Sequence, residues 1–319
     1  MSTKGLIMPA ALAAALLAPG AALACASCGC TLNSDWVSQG LAFKPGLQLD
    51  LRYDYLNQND LRSGTHGIDR SSIALPTDRE IEVMTRNNYV TLGLDYSPNE
   101  SWGFSAQVPY IDRFHTTVAE GETDISSSNT RDLGDVKIMA RYQGFTASRN
   151  VGLQFGLKLP TGSFHDVFRT GPEAGGLIDR GLQAGTGTTD ALIGAYAFGT
   201  IAGNWDYFVQ GLVEAPFAAR QDYRPGIAFN VNAGIHYVGF DSITPQIQIS
   251  AKTSGPDKGL EADTENSGGT LVYLGAGGTL NITRQVRLYA FAQVPVYQDV
   301  NGYQLAPRWV LTTGLHLSL

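Results

Sequence analysis

The chain has 319 residues, 43% hydrophobic and only 16% charged, with 37 glycines and a formal net charge of -7. The charged fraction is low against the ~25% usual for soluble domains. Yet beyond the first 24 residues no apolar run approaches the ~18 residues of a membrane helix. A helical membrane protein, a coiled coil and a disordered chain are excluded, and an acidic chain lacks the basic face that nucleic acid requires. Low charge, abundant glycine and tyrosine, and apolarity hidden in alternation suit a transmembrane β-barrel.

Residues 1–24 read as an export signal. Lys4 supplies the positive start, Leu6 to Leu17 the apolar stretch, and Ala22-Leu23-Ala24 the cleavage site. The stretch is too short for a membrane anchor. Cleavage leaves Cys25 first, removes Lys4, and takes the net charge from -7 to -7 - 1 = -8. Lipoprotein processing is an alternative at Cys25, although Ala22 and Leu23 match its signal poorly.

All three cysteines sit in Cys25-Ala26-Ser27-Cys28-Gly29-Cys30. Thiolates at this spacing suit a soft metal ion such as copper. Gly29 stands where covalent haem attachment needs histidine. The readings that stand are metal or redox use of Cys25, Cys28 and Cys30; lipidation of Cys25 that leaves Cys28 and Cys30 as a redox pair; a Cys25–Cys28 disulfide with Cys30 free; and an inert tether. Residues 25–45 form a periplasmic leader, whose Trp36, Leu41 and Phe43 could sit at the membrane interface or plug the barrel.

From Gly46 to Leu319, period-two alternation recurs over about ten residues at a time, as transmembrane strands require. The first strand alternates Leu47, Leu49, Leu51, Tyr53 and Tyr55 with Gln48, Asp50, Arg52 and Asp54. Eleven more follow, starting near Tyr89, Trp102, Asp135, Val151, Thr189, Trp205, Ile227, Ile243, Val272, Leu288 and Trp309. The strand from Thr189 to Thr200 is apolar on both faces and its register stays open. Short turns such as Pro98–Ser101 and Ala202–Asn204 alternate with long polar segments, including 57–79, 119–130 and 161–187. This predicts an all-β, antiparallel, up-and-down barrel of twelve strands in the bacterial outer membrane, with both termini periplasmic. Val108-Pro109, Leu159-Pro160, Ala215-Pro216 and Val294-Pro295 fall where strand pairing should end or bulge. Thr312-x-Gly314-x-x-Leu317-x-Leu319 resembles the C-terminal insertion signal of such barrels, which often ends in phenylalanine rather than leucine.

The alternation points Asp50, Arg52, Asp54, Arg113, Asp135, Lys137, Arg141, Lys158, Glu214, Lys252 and Arg287 inward. Both signs occur, as in a polar conduit with a field across it, or in a closed lumen filled by ion pairs. His66, His115 and His165 fall near the long loops, and His236 and His316 point inward. A rim phospholipase would need outward Ser, His and Asn groups, so no enzyme activity is expected.

Leu157-Lys158-Leu159-Pro160-Thr161-Gly162, followed by Gly181-Leu182-Gln183-Ala184-Gly185-Thr186-Gly187, resembles the outer-membrane barrel family of the meta-pathway phenol-degradation (MetA-like) type. The resemblance is loose over most of the barrel and strongest here, and the cysteine leader is not part of that pattern. It implies an outer-membrane protein that passes small, aromatic or hydrophobic molecules and has no catalytic residues. Passive passage or binding of a small solute is the expected function. The alternative is a copper-binding or electron-transfer role for the leader, with a periplasmic metal or redox protein as partner and the barrel as anchor or sleeve.

Overall fold

The computed structural model describes residues 45–319. The export signal and the cysteines of the leader lie outside the described residues. In chain order the strands are β1 (Gly46–Gly64), β2 (His66–Gly67), β3 (Ile81–Ser97), β4 (Trp102–Val118), β5 (Ile125–Leu133), β6 (Val136–Tyr142) and β7 (Val151–Leu159). They continue with β8 (Asp190–Ala202), β9 (Trp205–Pro216), β10 (Ala228–Tyr237), β11 (Ile243–Ser254), β12 (Gly269–Asn281) and β13 (Val286–Ser318). Apart from β2 and β5, which lie outside the ring, each strand pairs with its neighbours. β13 closes on β1 from Gln48↔Ser318 to Tyr55↔Leu311. All pairings are antiparallel, so the barrel has no open edge across the membrane.

Eleven strands thus make the ring, and the last folds back on itself. Residues 287–300 of β13 pair with β12, and residues 300–318 pair with β1. The Ser318 N–H donates to the Gln285 carbonyl at 2.9 Å, so both ends of β13 lie at one rim. At the far tip, Asn301-Gly302 reverses the chain, with Gly302 at φ +45°, a conformation that costs glycine little. The chain therefore crosses twelve times, and the two arms of β13 are the last two strands expected from the alternation.

The alternation is realised as expected. Leu51, Leu92, Phe104, Phe155, Ile247 and Val294 are exposed on the outer wall, where lipid would cover them. Aromatic rings gather on this wall beside the short turns: Trp102 packs on Tyr142 (4.9 Å between centroids) and Trp205 on Tyr237 (5.1 Å). This is the interfacial belt of a membrane barrel. The open register in β8 is settled by Leu192, fully buried, beside Ile193, 63% exposed.

The prolines mark ladder breaks, because proline cannot donate. Pro109 sits where β4 changes partner, from β6 at Gln107↔Lys137 to β5 at Tyr110↔Leu133. Pro295 sits at the β12–β13 bulge, Pro216 ends β9, and Pro160 follows β7.

The long segments depart from the sequence expectation. β1, β3 and β4 run 19, 17 and 17 residues, well past the ~9–11 needed to cross a bilayer. Their far ends, with β5, form a paired sheet beyond the apolar wall. Segments 57–79 and 119–130 read as connections from the sequence, yet residues 57–64 and 125–130 are strand. Outside lipid these residues need no apolar alternation, so Ser126-Ser127-Ser128-Asn129-Thr130 pairs without the signature.

Candidate functional site: a loop-constricted lumen

Period-two geometry carries the expected charged residues to the barrel interior. Arg52 Nε donates to Asp54 at 2.8 Å, and Thr312 Oγ1 donates to the same carboxylate at 2.6 Å. Asp50 accepts from Tyr289 OH at 3.0 Å. Arg141 pairs with Asp95 and donates to Ser97 Oγ at 2.6 Å. Arg287 approaches Ser318 Oγ at 3.4 Å.

Toward the long-loop end the charges converge. Lys137 Nζ lies 2.8 Å from Glu214, and Lys158 Nζ lies 3.1 Å from Glu214 and 4.0 Å from Asp135, while also pairing with Asp190. Four strands, β6 to β9, thus share one ion-pair network on one wall. Lys252 lines the same space.

The segment after β7 is not a loop standing clear of the barrel. Residues 161–187 fold into its mouth. Asp135 holds both ends of the segment, accepting from Gly162 N–H (3.1 Å), Thr186 N–H (2.9 Å) and Thr186 Oγ1 (2.9 Å). Arg113 holds the returning arm, donating to the Gly181 and Gln183 carbonyls at 3.5 and 3.4 Å, while its other donors reach Asn87 and Tyr89. Phe168, Ile178 and Leu182 form a small buried cluster within the segment. The motif glycines explain the path. A Cβ on Gly162 would lie 2.8 Å from the Gly185 backbone, and one on Gly185 would lie 2.4 Å from the Gly162 carbonyl. The two arms pass too closely for any side chain.

Three cavities follow one another along the axis. The outermost, about 520 Å³, is lined by Phe164, Asp179, Arg180, Gln183, Asp222 and Glu261, among others. The central one, about 230 Å³, shares Arg180 and Gln183 with it and is walled by the ion-pair network. The innermost, about 30 Å³, shares Arg52, Thr91 and Gln107 with the central one and reaches Gln48, Asp95 and His316 near the short turns. Loop groups at the mouth titrate unusually. Burial, reinforced by Asp263, pushes Asp179 up to about 6. Burial and Asp257 push Tyr223 well above its ordinary range, and its hydroxyl donates to Asp257 at 2.8 Å.

Several lining residues escape the sequence reading. Asp95 alternates with Leu94 and Tyr96, and its pattern does not distinguish it from other inward polar residues of β3. Asp190 lies in the strand of open register. Arg180, Gln183 and Thr186 lie in a segment that reads as external. His115, expected near the long loops, is fully buried in the barrel's extension, 2.8 Å from Thr85 Oγ1. His236 and His316 face inward as the alternation requires. Cys25, Cys28 and Cys30 lie outside the described residues.

No family model matches the chain, and no curated protein matches it. Among solved structures it is similar to the COG4313 outer membrane channel from Pseudomonas putida F1, at 12% identity over 88% of this chain and 98% of that chain, with a TM-score of 0.63. The NanC porin (11% identity, 85% and 100% covered, TM-score 0.47) and the CymD monoaromatic hydrocarbon channel (7%, 86% and 89%, TM-score 0.44) are less similar. The shared feature is the fold, that of bacterial outer-membrane barrels. The finer likeness to the MetA-like type rests on the 157–187 motif alone.

Proposed function

We propose that the protein is an outer-membrane channel that passes a small solute by diffusion, narrowed by the inward-folded segment 161–187. The supporting observation is the run of three cavities with shared lining residues from the loop end to the short-turn end. In this reading the long loops face outside, both termini are periplasmic, and lipid covers the apolar wall. The eleven inward charges from Asp50 to Arg287 then line or brace the conduit. Cavities of about 230 Å³ and, nearer the short turns, about 30 Å³ limit passage to small molecules, and the MetA-like motif favours ones with an apolar or aromatic body. Reconstitution in planar bilayers tests the proposal. Discrete single-channel currents are expected; a correctly folded barrel that carries no current would refute it. The thiol leader is proposed as a separate soft-metal site on the strength of its sequence. Copper bound by the mature protein and lost in Cys28→Ser/Cys30→Ser is the expected result, and unchanged copper content would remove that proposal.

A further inference from the structure

Building on the channel reading, we propose that Arg180 is a binding site for the carboxylate of a small organic monoanion with an apolar body, at the passage between the outer and central cavities. Arg180 lines both cavities and is 8% exposed. Its Cζ lies 4.2 Å from the Phe164 ring centroid and 4.9 Å from that of Tyr223, so aromatic rings hold the guanidinium by its faces. Its Nη2 donates to the Thr186 carbonyl at 2.8 Å, a bond that fixes the fork to the folded segment. The buried Nε has no hydrogen-bond partner among the described residues, and Glu261 acts on Arg180 electrostatically without an ion-pair contact. A buried guanidinium with an unused edge donor is costly unless a ligand completes it. The ligand that matches a planar fork is a carboxylate.

The surroundings select the rest of the ligand. The central cavity is lined by six cationic side chains against four carboxylates, and one of the six, Arg52, is paired with a fifth carboxylate, Asp54, which leaves an excess of one positive charge. Three of those carboxylates, Asp135, Asp190 and Glu214, are already engaged by Lys137 and Lys158. Arg113, the other loop-holding cation, also meets only neutral groups. The cavity therefore attracts one negative charge. Tyr89, Ile111, Leu212 and Tyr223 supply apolar wall for the body of the solute. The outer cavity carries Asp179, Asp222 and Glu261, so the attraction originates below the mouth, at and behind Arg180.

The test uses the mature protein in planar bilayers under a potassium chloride gradient, with benzoate as the probe. Wild type should show a reversal potential of anion-preferring sign, and benzoate should reduce chloride current in a concentration-dependent way. Arg180→Gln should weaken that block at least tenfold and reduce the anion preference. Arg180→Lys should keep the preference and lose most of the block, because an ammonium has no planar fork. A cation-preferring wild type, or equal block in Arg180→Gln, would overturn the assignment. Calorimetric titration of benzoate into detergent-solubilised protein separates the two claims. Binding that depends on Arg180 without any current would refute the channel and keep the site. Current that is indifferent to benzoate would refute the site and keep the channel.

Discussion

The two halves of the lumen are built on different chemistry. The half nearer the long loops is charged and interlocked: Lys158 alone reaches three carboxylates, and Asp135 and Arg113 hold an inward-folded segment. The half nearer the short turns holds separate charge pairs, such as Arg141–Asp95 and Arg52–Asp54, set among many amides and aromatics. Gln48, Gln154, Gln210, Gln246, Gln248 and Gln293 are buried there with Tyr196, Phe208, Tyr289 and Phe291. Among the described residues neither amide atom of Gln210 has a hydrogen-bond partner, and one amide atom in each of Gln154 and Gln293 lacks one. The contrast separates two tasks. In the proposed channel, the interlocked half would hold the constriction and select the charge, and the amide-rich half would offer neutral, rearrangeable polar groups beyond it.

The largest effect should come from breaking the network at its centre. Lys158→Met leaves Asp190 without its cationic partner and Glu214 with Lys137 alone, and should cost ~3–5 kcal/mol, read as a lowered midpoint in urea unfolding from lipid vesicles. An unchanged midpoint would mean the ion pairs do not hold the charged half together. Next, Asp135→Ala removes the acceptor of three bonds to the inward segment. A loss of ~1–3 kcal/mol is expected, with noisier single-channel current as the segment loosens. Quiet current would show that the segment is held elsewhere.

A pH effect should follow in size. Asp179 lines the outer cavity beside Arg180, and burial raises its carboxyl to about 6. A raised carboxyl is neutral below that value and negative above it. The anion preference should therefore weaken as pH rises through about 6 and become flat with pH in Asp179→Asn. The folded state, which keeps its proton longer than the unfolded chain, should also lose stability between about pH 4 and pH 6. A preference that strengthens with pH would contradict the placement of this charge. The smallest change in stability belongs to the amide half. Gln210→Leu removes a buried amide with no partner and should stay within ~1 kcal/mol of wild type, while lowering conductance by drying the wall.

The barrel was legible because lipid imposes a rule on every second residue. All twelve crossings can be read from that rule, including both arms of β13. The rule lapses outside lipid, which hid β5 and the extensions of β1, β3 and β4. It is also silent where both faces are apolar, which left the register of β8 to be settled by Leu192 and Ile193. The inward charges came from the same alternation. The constriction did not, because it depends on contacts far apart in sequence, such as Asp135 with Thr186 and Arg113 with Gly181. The paired motifs around Gly162 and Gly185 carried a trace of it: two glycines that must touch are conspicuous only once their closeness is seen.

The inward-folded segment is the pivot of this account. Replacing residues 164–184 with a short Gly-Ser linker, and recording single-channel conductance beside wild type, addresses it most directly. The account predicts a several-fold larger conductance and loss of the anion preference. Equal conductance and equal selectivity in the two proteins would contradict it.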